Sequence, residues 1–309
     1  MLLWLLSVPA PVSDFQRITD MPVLSPQGKG FESAGTFNPA AIRQGGKIIL
    51  LYRAQDLKGK SAIGYASSSD GIHFQRAGKP VLEPETSYEK DGGVEDPRVV
   101  QIGGKYWLTY TAYNTKDAQL CIASSGDLLH WQRHGVILPA YRGRWNAGWT
   151  KSGAILNQKI GGKFWMYFMG DARGHPGQMG VAWSTDLIHW TEPLDRPVLT
   201  TRPGFFDARV AEPGPPPILT ERGILLIYNG ADESIVYRTG WALFDRNDPT
   251  RLIARAAKPV FVPEKTWEKV GQVPRVVFAE GMVESGEGWL LYYGAADKYV
   301  GAARLKWSD

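Results

Sequence analysis

The sequence predicts an all-β protein, specifically a single-domain five-bladed β-propeller with four-stranded antiparallel blades. Its composition and two repeated phrases predict this fold. The 309 residues include 35 Gly, 21 Pro, 12 Trp and 13 Tyr, which is typical of short strands joined by tight turns. A unit of about 60 residues and about four strands that recurs along a chain is typical of a propeller.

The first phrase has the form Asp-x-x-His-aromatic. It occurs three times, at 70–74, 127–131 and 186–190, and a degenerate fourth copy covers 245–252. Each complete copy follows an apolar run that ends in small residues, and each precedes a short run containing Val or Leu near a Pro. The phrase therefore predicts the turn between the third and fourth strands of a blade.

The second phrase is a Tyr that ends an apolar strand, followed four residues later by Asp or Asn. It occurs five times, as Tyr52/Asp56, Tyr110/Asn114, Tyr167/Asp171, Tyr228/Asp232 and Tyr293/Asp297. Five copies predict five blades. The last segment, 300–305, has the pattern of a third strand with no fourth after it. The segment around 21–24 is expected to supply the missing outer strand and so close the ring, which removes free sheet edges.

The ends of the chain set the domain boundaries. We expect residues 1–14 to form an apolar N-terminal extension and residues 15–309 to form one catalytic domain. The extension is too short to span a bilayer and lacks the basic start of a signal peptide. It is either the clipped end of a signal peptide or an N-terminal strand. The compartment therefore stays open between the cytoplasm and, for a clipped signal, the periplasm or exterior.

Charge and cysteine content exclude several classes of function. The net charge is +4 with no long basic run, which argues against a nucleic-acid partner. No other segment is apolar and long enough to predict membrane insertion. The single Cys121 excludes an internal disulfide and a Cys-rich metal site. A homo-oligomer remains open.

One polar residue stands at the start of each predicted innermost strand. These residues are Asn38, Asp96, Lys151, Glu212 and Glu280. Pseudo-symmetry places them at one mouth of the propeller axis. A structural ring would repeat one residue type, whereas these differ from blade to blade, so they are interpreted as a site.

Several carboxylates together with aromatic side chains suit a sugar substrate. Glycoside cleavage needs an acid for the leaving oxygen and a base or nucleophile opposite it. We expect Asp96 to be the general acid and Glu212 or Glu280 to activate water. Their separate blades leave a wide gap, which favours inversion. The aromatic candidates for contact with the sugar are Trp145, Trp149, Tyr113 and Phe206, and the Gly- and Asn-rich stretch around Trp145 and Trp149 favours these two.

Around these residues the chain resembles glycoside hydrolase family 130, the five-bladed propeller family of β-mannoside phosphorylases and β-mannosidases. The resemblance covers about 37–305. Its phrases are Phe37-Asn38-Pro39-Ala40, Leu51-Tyr52-Arg53-Ala54, Gly93-Val94-Glu95-Asp96-Pro97-Arg98, Lys151-Ser152-Gly153-Ala154, Glu212-Pro213-Gly214-Pro215-Pro216, Tyr228-Asn229-Gly230 and Tyr292-Tyr293-Gly294-Ala295-Ala296-Asp297.

The resemblance implies roles for particular residues. It implies that Asp96 is the general acid, acting through a sugar hydroxyl in the phosphorylases. It implies that Asn38, Arg53, Arg98 and Asp297 help to hold the mannosyl unit, and our own analysis adds Lys151 and Trp149 to this set. It implies no metal and no cofactor, with inorganic phosphate as co-substrate in a phosphorylase.

The family divides on the nucleophile. Phosphorylases offer phosphate a basic cluster, but here Asp171 occupies one of the positions where an Arg is typical. Since an acid repels phosphate, the sequence predicts a β-mannosidase acting on manno-oligosaccharides, with Glu212 or Glu280 activating water. The first alternative is a β-mannoside phosphorylase that releases mannose 1-phosphate and binds phosphate through Lys151, Arg142 and Arg144.

Two further alternatives remain. Arabinanase and fructosidase propellers also use three axial carboxylates, although the phrases above fit them less well. A different class of protein, a non-catalytic carbohydrate-binding propeller, would use the same mouth for binding alone.

Overall fold

The structure is a computed structural model that describes residues 11–12, 15–143, 145–172, 176–286 and 288–305. Most of the predicted N-terminal extension, and Arg144, lie outside these residues. The described chain is all-β as predicted, and within it a single short α-helix, α1 (Thr266–Lys269), interrupts the strands. None of the helical residues described is part of a helix long and apolar enough to cross a membrane.

The strands form five modules, numbered here in chain order. A two-residue strand, β1 (Gln16–Arg17), comes before them. The first module is β2 (Gly35–Gln44), β3 (Lys47–Gln55), β4 (Ser61–Ser68) and β5 (Gln75–Arg76). The second is β6 (Gly93–Ile102), β7 (Lys105–Tyr113), β8 (Ala118–Ser125) and β9 (Gln132–Leu138). One parallel bridge, Ser61 to Gly93, joins these two modules into one sheet.

The other three modules are separate antiparallel sheets. The third is β10 (Thr150–Ile155), β11 (Phe164–Gly170) and β12 (Gln178–Ser184). The fourth is β13 (Val210–Pro213), β14 (Ile218–Thr220), β15 (Gly223–Ala231), β16 (Tyr237–Phe244) and β17 (Leu252–Arg255). The fifth is β18 (Val277–Ser285), β19 (Gly288–Ala295) and β20 (Tyr299–Leu305).

Glycine pairs explain the tight hairpins between the first two strands of the early modules. Gly45 and Gly46 have φ values of 56° and 78°, and Gly103-Gly104 and Gly161-Gly162 repeat them. Two consecutive positive φ values define a type I′ turn, whose twist matches that of the flanking strands.

The N-terminal strand completes the last module. β1 pairs antiparallel with β20 in the register Gln16 to Arg304. The expectation that the N-terminus supplies the outer strand is confirmed, but its position was predicted wrongly. The 21–24 segment contributes only the bridge from Leu24 to Val300.

The innermost strands of successive modules contact one another. β6 contacts β2 and β10, β10 contacts β13, and β18 contacts both β15 of the fourth module and β2 of the first. Hydrophobic clusters fill the spaces between neighbouring modules, including the space between the fifth and the first. The polar starts of the innermost strands are thereby brought together.

A buried carboxylate, a tyrosine hydroxyl and an arginine recur together, and we call this group a latch. The four latches are Glu32–Tyr52–Arg76, Glu89–Tyr110–Arg133, Asp207–Tyr228–Arg255 and Glu268–Tyr293–Arg17. In each, the arginine comes from the outermost strand, so the latch ties the outer edge of a module to its second strand.

The third module departs from this pattern. Phe168 lies opposite Gly180 as Tyr52 lies opposite Gly64, whereas the Tyr167 hydroxyl donates to the Pro249 carbonyl. The prediction that Tyr167 is the third member of the tyrosine series was therefore wrong by one residue.

Candidate active site

Four of the innermost strands contain a bulge, and each bulge sets the direction of a side chain at the site. The pairing register shifts around Asn38, Asp96, Ser152 and Glu280. The first three have φ values of 45°, 49° and 57°. Such bulges redirect side chains and are common beside active sites, and the left-handed φ of a non-glycine residue stores strain there. In the third module Ser152, and not Lys151 as predicted, occupies this position.

Asp96 is held by the first module. The Asn38 amide Nδ2 donates to Asp96 Oδ1 at 2.9 Å, and Arg53 Nη1 donates to the same oxygen at 3.3 Å. The other terminal nitrogen of Arg53 donates to Glu95 Oε1 at 2.6 Å. The ring of Phe37 lies under the guanidinium, 4.8 Å from its carbon. Arg53 therefore bridges two adjacent carboxylates.

The two carboxyl groups bridged by Arg53 have pKa values that are shifted in opposite directions. Burial would raise the pKa of Asp96, but Arg53 and Lys151 outweigh it and hold that pKa below its ordinary value. Burial raises the pKa of Glu95 despite the pull of Arg53, and the charge of Asp96 adds to the rise. Neighbouring groups whose environments separate their pKa values are a feature of acid–base sites.

Arg98 is fully buried, and most of its hydrogen bonds go to backbone carbonyls around the site. Its Nε and Nη2 donate to the carbonyls of Gly214 and Pro213 at 2.8 and 2.7 Å, and its Nη1 contacts Glu280 Oε1 at 3.2 Å. Nη1 also donates to the backbone carbonyl of Asp96, at 3.2 Å. Arg98 thus contacts the backbone of Asp96, because the bulge breaks the alternation of side chains along the strand.

Glu212 and Glu280 lie in different surroundings. The hydroxyl of Ser152 donates to Glu212 Oε1. Burial raises the pKa of Glu212, while Lys151 and the Ser152 hydroxyl act against the rise. Burial raises the pKa of Glu280 well above its ordinary value, and its Oε2 has no hydrogen-bond partner among the described residues. Glu212 is therefore the better candidate for an ionised base.

Lys151 and Trp149 form one rim of the site. Lys151 is half-buried and its Nζ lies 5.3 Å from the centre of the Trp149 ring. The Trp149 backbone N–H donates to Asp171. The Lys151 charge acts on Asp96, Glu95, Glu212 and Asp297, so this cation faces the carboxylates.

Asp297 differs from the other residues of its series. The Asp56 and Asp232 carboxylates accept backbone N–H groups of their own loops. Asp297 has a φ of 50°, and burial raises its pKa to about 6 against the opposing effect of Arg53. The structure thus groups Asp297 with Arg53, Asp96 and Glu95.

Arg142 belongs to another cluster. Its Nη2 lies 3.2 Å from Glu192 Oε1, and the Asn146 amide contacts the same carboxylate. A cavity of about 550 Å³ lies against these three side chains together with Trp145 and Trp190. Arg144, the other proposed phosphate ligand, is outside the described residues.

Sequence reasoning missed three site residues. Glu95 directly precedes the predicted Asp96, and Ser152 directly follows the predicted Lys151. Only the register of the bulges shows that Glu95 and Ser152 face the site. Tyr237 is half-buried, and burial together with the charges of Glu212, Asp297 and Asp96 raises its pKa. No phrase in the sequence marks it.

The site contains more carboxyl groups than cationic side chains. Its three cations are Arg53, Arg98 and Lys151, and its five carboxyl groups are Glu95, Asp96, Glu212, Glu280 and Asp297. Such a site can hold protons on some carboxyls while others stay ionised, which is what acid–base cleavage requires. Within the described ranges no group of three or more His, Cys, Asp or Glu side chains is arranged to hold a metal ion.

Comparisons with known proteins identify the family of the chain. The family model for glycoside hydrolase family 130, described as β-1,4-mannooligosaccharide phosphorylase, matches residues 16–308. A 1,2-β-oligomannan phosphorylase of Thermoanaerobacter sp. (strain X514) is 38% identical over 95% of this chain and 98% of its own. A β-1,2-mannobiose phosphorylase of the same strain is 37% identical over 94% and 96%.

A solved structure matches equally well. It carries the description "The GH130 family of mannoside phosphorylases contains glycoside hydrolases that target beta-1,2 mannosidic linkages in Candida mannan" and is 38% identical, with a TM-score of 0.85 over 94% of this chain and 93% of that one. The family model and both relatives match nearly the whole length of the chain. The chain therefore belongs to glycoside hydrolase family 130.

Proposed function

We propose that the five modules are the blades of a closed five-bladed β-propeller, and that residues 15–309 form one catalytic domain. The contact of β18 with β2 and the pairing of β1 with β20 support closure. Closure would leave each innermost strand lining the axis, with the five carboxyl groups at one mouth.

The function we propose is cleavage of β-1,2-mannosidic linkages in manno-oligosaccharides, without a metal or cofactor. One observation carries it. Asp96, held by Asn38 and Arg53, lies close enough to Glu212, held by Ser152, for its charge to act on the pKa of Glu212. The β-1,2 linkage is proposed because the names of both relatives and the description of the solved structure contain it.

The proton for the leaving oxygen comes from the cluster of Asp96, Asp297, Glu95 and Arg53. Asp96 alone is a weak donor at neutral pH because its pKa is lowered. Interacting acids titrate as a group, and burial raises the pKa of Asp297, a member of this group, to about 6. Asp96 delivers this proton, directly or through a sugar hydroxyl.

Water is the acceptor that the geometry supports best. Asp171 places an acid beside Trp149, on the rim that carries Lys151, and this is unfavourable for a phosphate dianion there. Glu212 activates the water because it has the hydroxyl donor of Ser152, whereas Glu280 Oε2 has no hydrogen-bond partner among the described residues. Attack from the side opposite the leaving group inverts the anomeric centre.

Phosphorolysis is the second candidate, and the curated relatives favour it over the hydrolysis expected from the sequence. The two relatives described above are named phosphorylases. In this case inorganic phosphate replaces water, and Lys151, the cation of the rim, contacts it.

Turnover of β-1,2-mannobiose with and without inorganic phosphate tests both candidates. We expect free mannose at equal rates in the two conditions and little turnover of β-1,4-mannobiose. Release of mannose 1-phosphate only when phosphate is present would contradict hydrolysis and establish the second candidate. Lys151→Met separates the two candidates further. In a phosphorylase this variant should lose the phosphate-dependent release of mannose 1-phosphate, whereas a hydrolase has no such reaction to lose.

A further inference from the structure

Ser152 is built into the site at a cost. It is 1% exposed, and its φ of 57° is one that side-chain-bearing residues rarely adopt. The bulge at this position is shared with Asn38 and Asp96 in the first two modules. Since both of those residues direct polar groups into the site, the strained backbone at Ser152 serves the same purpose.

The hydroxyl of Ser152 has a defined partner across a module boundary. It donates to Glu212 Oε1, so β10 of the third module contacts β13 of the fourth through this bond. A donor of this kind stabilises the ionised form of a carboxyl group and fixes its rotamer.

Glu280 provides an internal comparison. It is as deeply buried as Glu212, but its Oε2 lacks a donor among the described residues. Its cation, Arg98, is shared with two carbonyls. The two glutamates therefore differ chiefly in the serine hydroxyl and the nearby Lys151.

We propose that Ser152 is a positioning residue whose hydroxyl orients the Glu212 carboxylate toward the attacking water. The inference rests on the proposed hydrolysis. Ser152 does not touch the reacting atoms, but its hydroxyl determines that Glu212, and not Glu280, is the base.

Ser152→Gly tests this inference because glycine accepts the positive φ and removes only the hydroxyl. We expect kcat on β-1,2-mannobiose to fall about 10- to 100-fold with little change in KM. The acidic limb of the pH–rate profile should move upward by about one unit, because Glu212 loses a donor to its ionised form. Ser152→Asn, which tolerates the backbone and supplies an amide donor, should restore part of kcat and of the profile.

Ser125→Gly is the matched control. Ser125 is also buried, but its hydroxyl contacts Asp127 and backbone N–H groups of a turn. This variant should lower the melting temperature and leave the pH profile unchanged.

The outcomes separate the two proposals. Hydrolysis by the wild type together with an unchanged profile in Ser152→Gly would overturn the role of Ser152 alone. The same holds for a loss of activity in Ser152→Gly that follows a loss of stability and is not rescued by Asn. A wild type that releases no mannose without phosphate would overturn the proposed hydrolysis and this inference with it.

Discussion

At the residue scale, Asp297 shows how the surroundings change the meaning of a repeated residue. It occupies the loop position of Asp56 and Asp232, which cap their own turns. The charges of Arg53, Asp96 and Glu95 act on its carboxyl instead, and burial raises its pKa to about 6. Ionising such a group destabilises the folded state, and functional sites commonly carry this kind of cost.

Asp297→Asn should therefore stabilise the protein and impair catalysis. The wild-type cost of ionisation is absent below about pH 4, grows between about pH 4 and 6, and is constant at higher pH. We expect the variant to be more stable than the wild type at pH 8 by about 1–2 kcal/mol, a figure discounted for partial solvent exposure, and equally stable near pH 4. Urea unfolding at both pH values measures this, and a variant less stable than wild type at pH 8 would refute it.

The pH dependence of wild-type activity follows from the same cluster. Because burial raises the pKa of Asp297, a member of this cluster, to about 6, kcat/KM on β-1,2-mannobiose should decline above about pH 6. The measurement is the pH–rate profile of the free enzyme, which reports its essential acid. A profile still rising between pH 6 and 8 would show that the donated proton does not come from this cluster.

Asp96→Asn distinguishes an enzyme from a binding protein. The amide oxygen can still accept from Asn38, so the shape of the site is kept. Removing the acid should lower kcat/KM about 10²- to 10⁴-fold, while calorimetry should still detect binding of β-1,2-mannobiose. Turnover at the wild-type rate would show that Asp96 is not the acid. The absence of turnover in the wild type, with binding retained in both proteins, would favour a non-catalytic sugar-binding propeller.

At the scale of elements, latches hold four of the five modules together. Glu89 is fully buried and accepts hydrogen bonds from Tyr110 and Arg133 at 2.8 and 3.1 Å. In the third module Phe168, Asn146 and Glu192 replace the tyrosine, the carboxylate and the arginine. That module thus has an amide–carboxylate contact in place of the buried ion pair, next to the segment that leads through Trp149 into β10.

Arg133→Met should be strongly destabilising because it leaves Glu89 buried without its cation. We expect a loss of about 3–5 kcal/mol in the free energy of unfolding. Arg251→Met is the control, since Arg251 forms an ion pair with Asp245 while 65% exposed and should change stability by less than about 1 kcal/mol. Equal effects of the two substitutions in chemical denaturation would contradict the role of the latch.

The sequence predicts elements better than it predicts register. The Asp-x-x-His-aromatic turns are confirmed, since in all three copies the Asp accepts from the His backbone N–H and its Oδ2 lies 2.7 Å from His Nδ1. The one-residue shifts from Tyr167 to Phe168 and from Lys151 to Ser152 could not be predicted. A bulge changes which side chain faces inward without changing the hydrophobic pattern.

The latches were visible in the sequence but not recognised. An aromatic residue followed by an acid or amide precedes every innermost strand, at 31–32, 88–89, 145–146, 206–207 and 267–268. The spacing of about 60 residues matches the period of the other phrases. What the pattern lacks is any sign of its partner arginine, which comes from a distant strand.

At the scale of the whole molecule, the two ends of the chain meet in the fifth module. β1 pairs with β20, and Arg17 contacts Glu268 of α1 through two nitrogens, each at 2.7 Å. Repeat counting predicted this meeting of the termini, because only a shared module leaves no unpaired edge. The helix that supplies Glu268 was not predicted.

The central claim is that Asp96 and Glu212 direct water to a β-1,2-mannosidic bond with inversion. ¹H NMR of the first products from β-1,2-mannobiose, in buffer that contains inorganic phosphate, tests it most directly. The account predicts that the newly formed reducing sugar appears first as α-mannose and then equilibrates, with no sugar phosphate. A first product of β-mannose would contradict inversion, and α-mannose 1-phosphate would contradict attack by water.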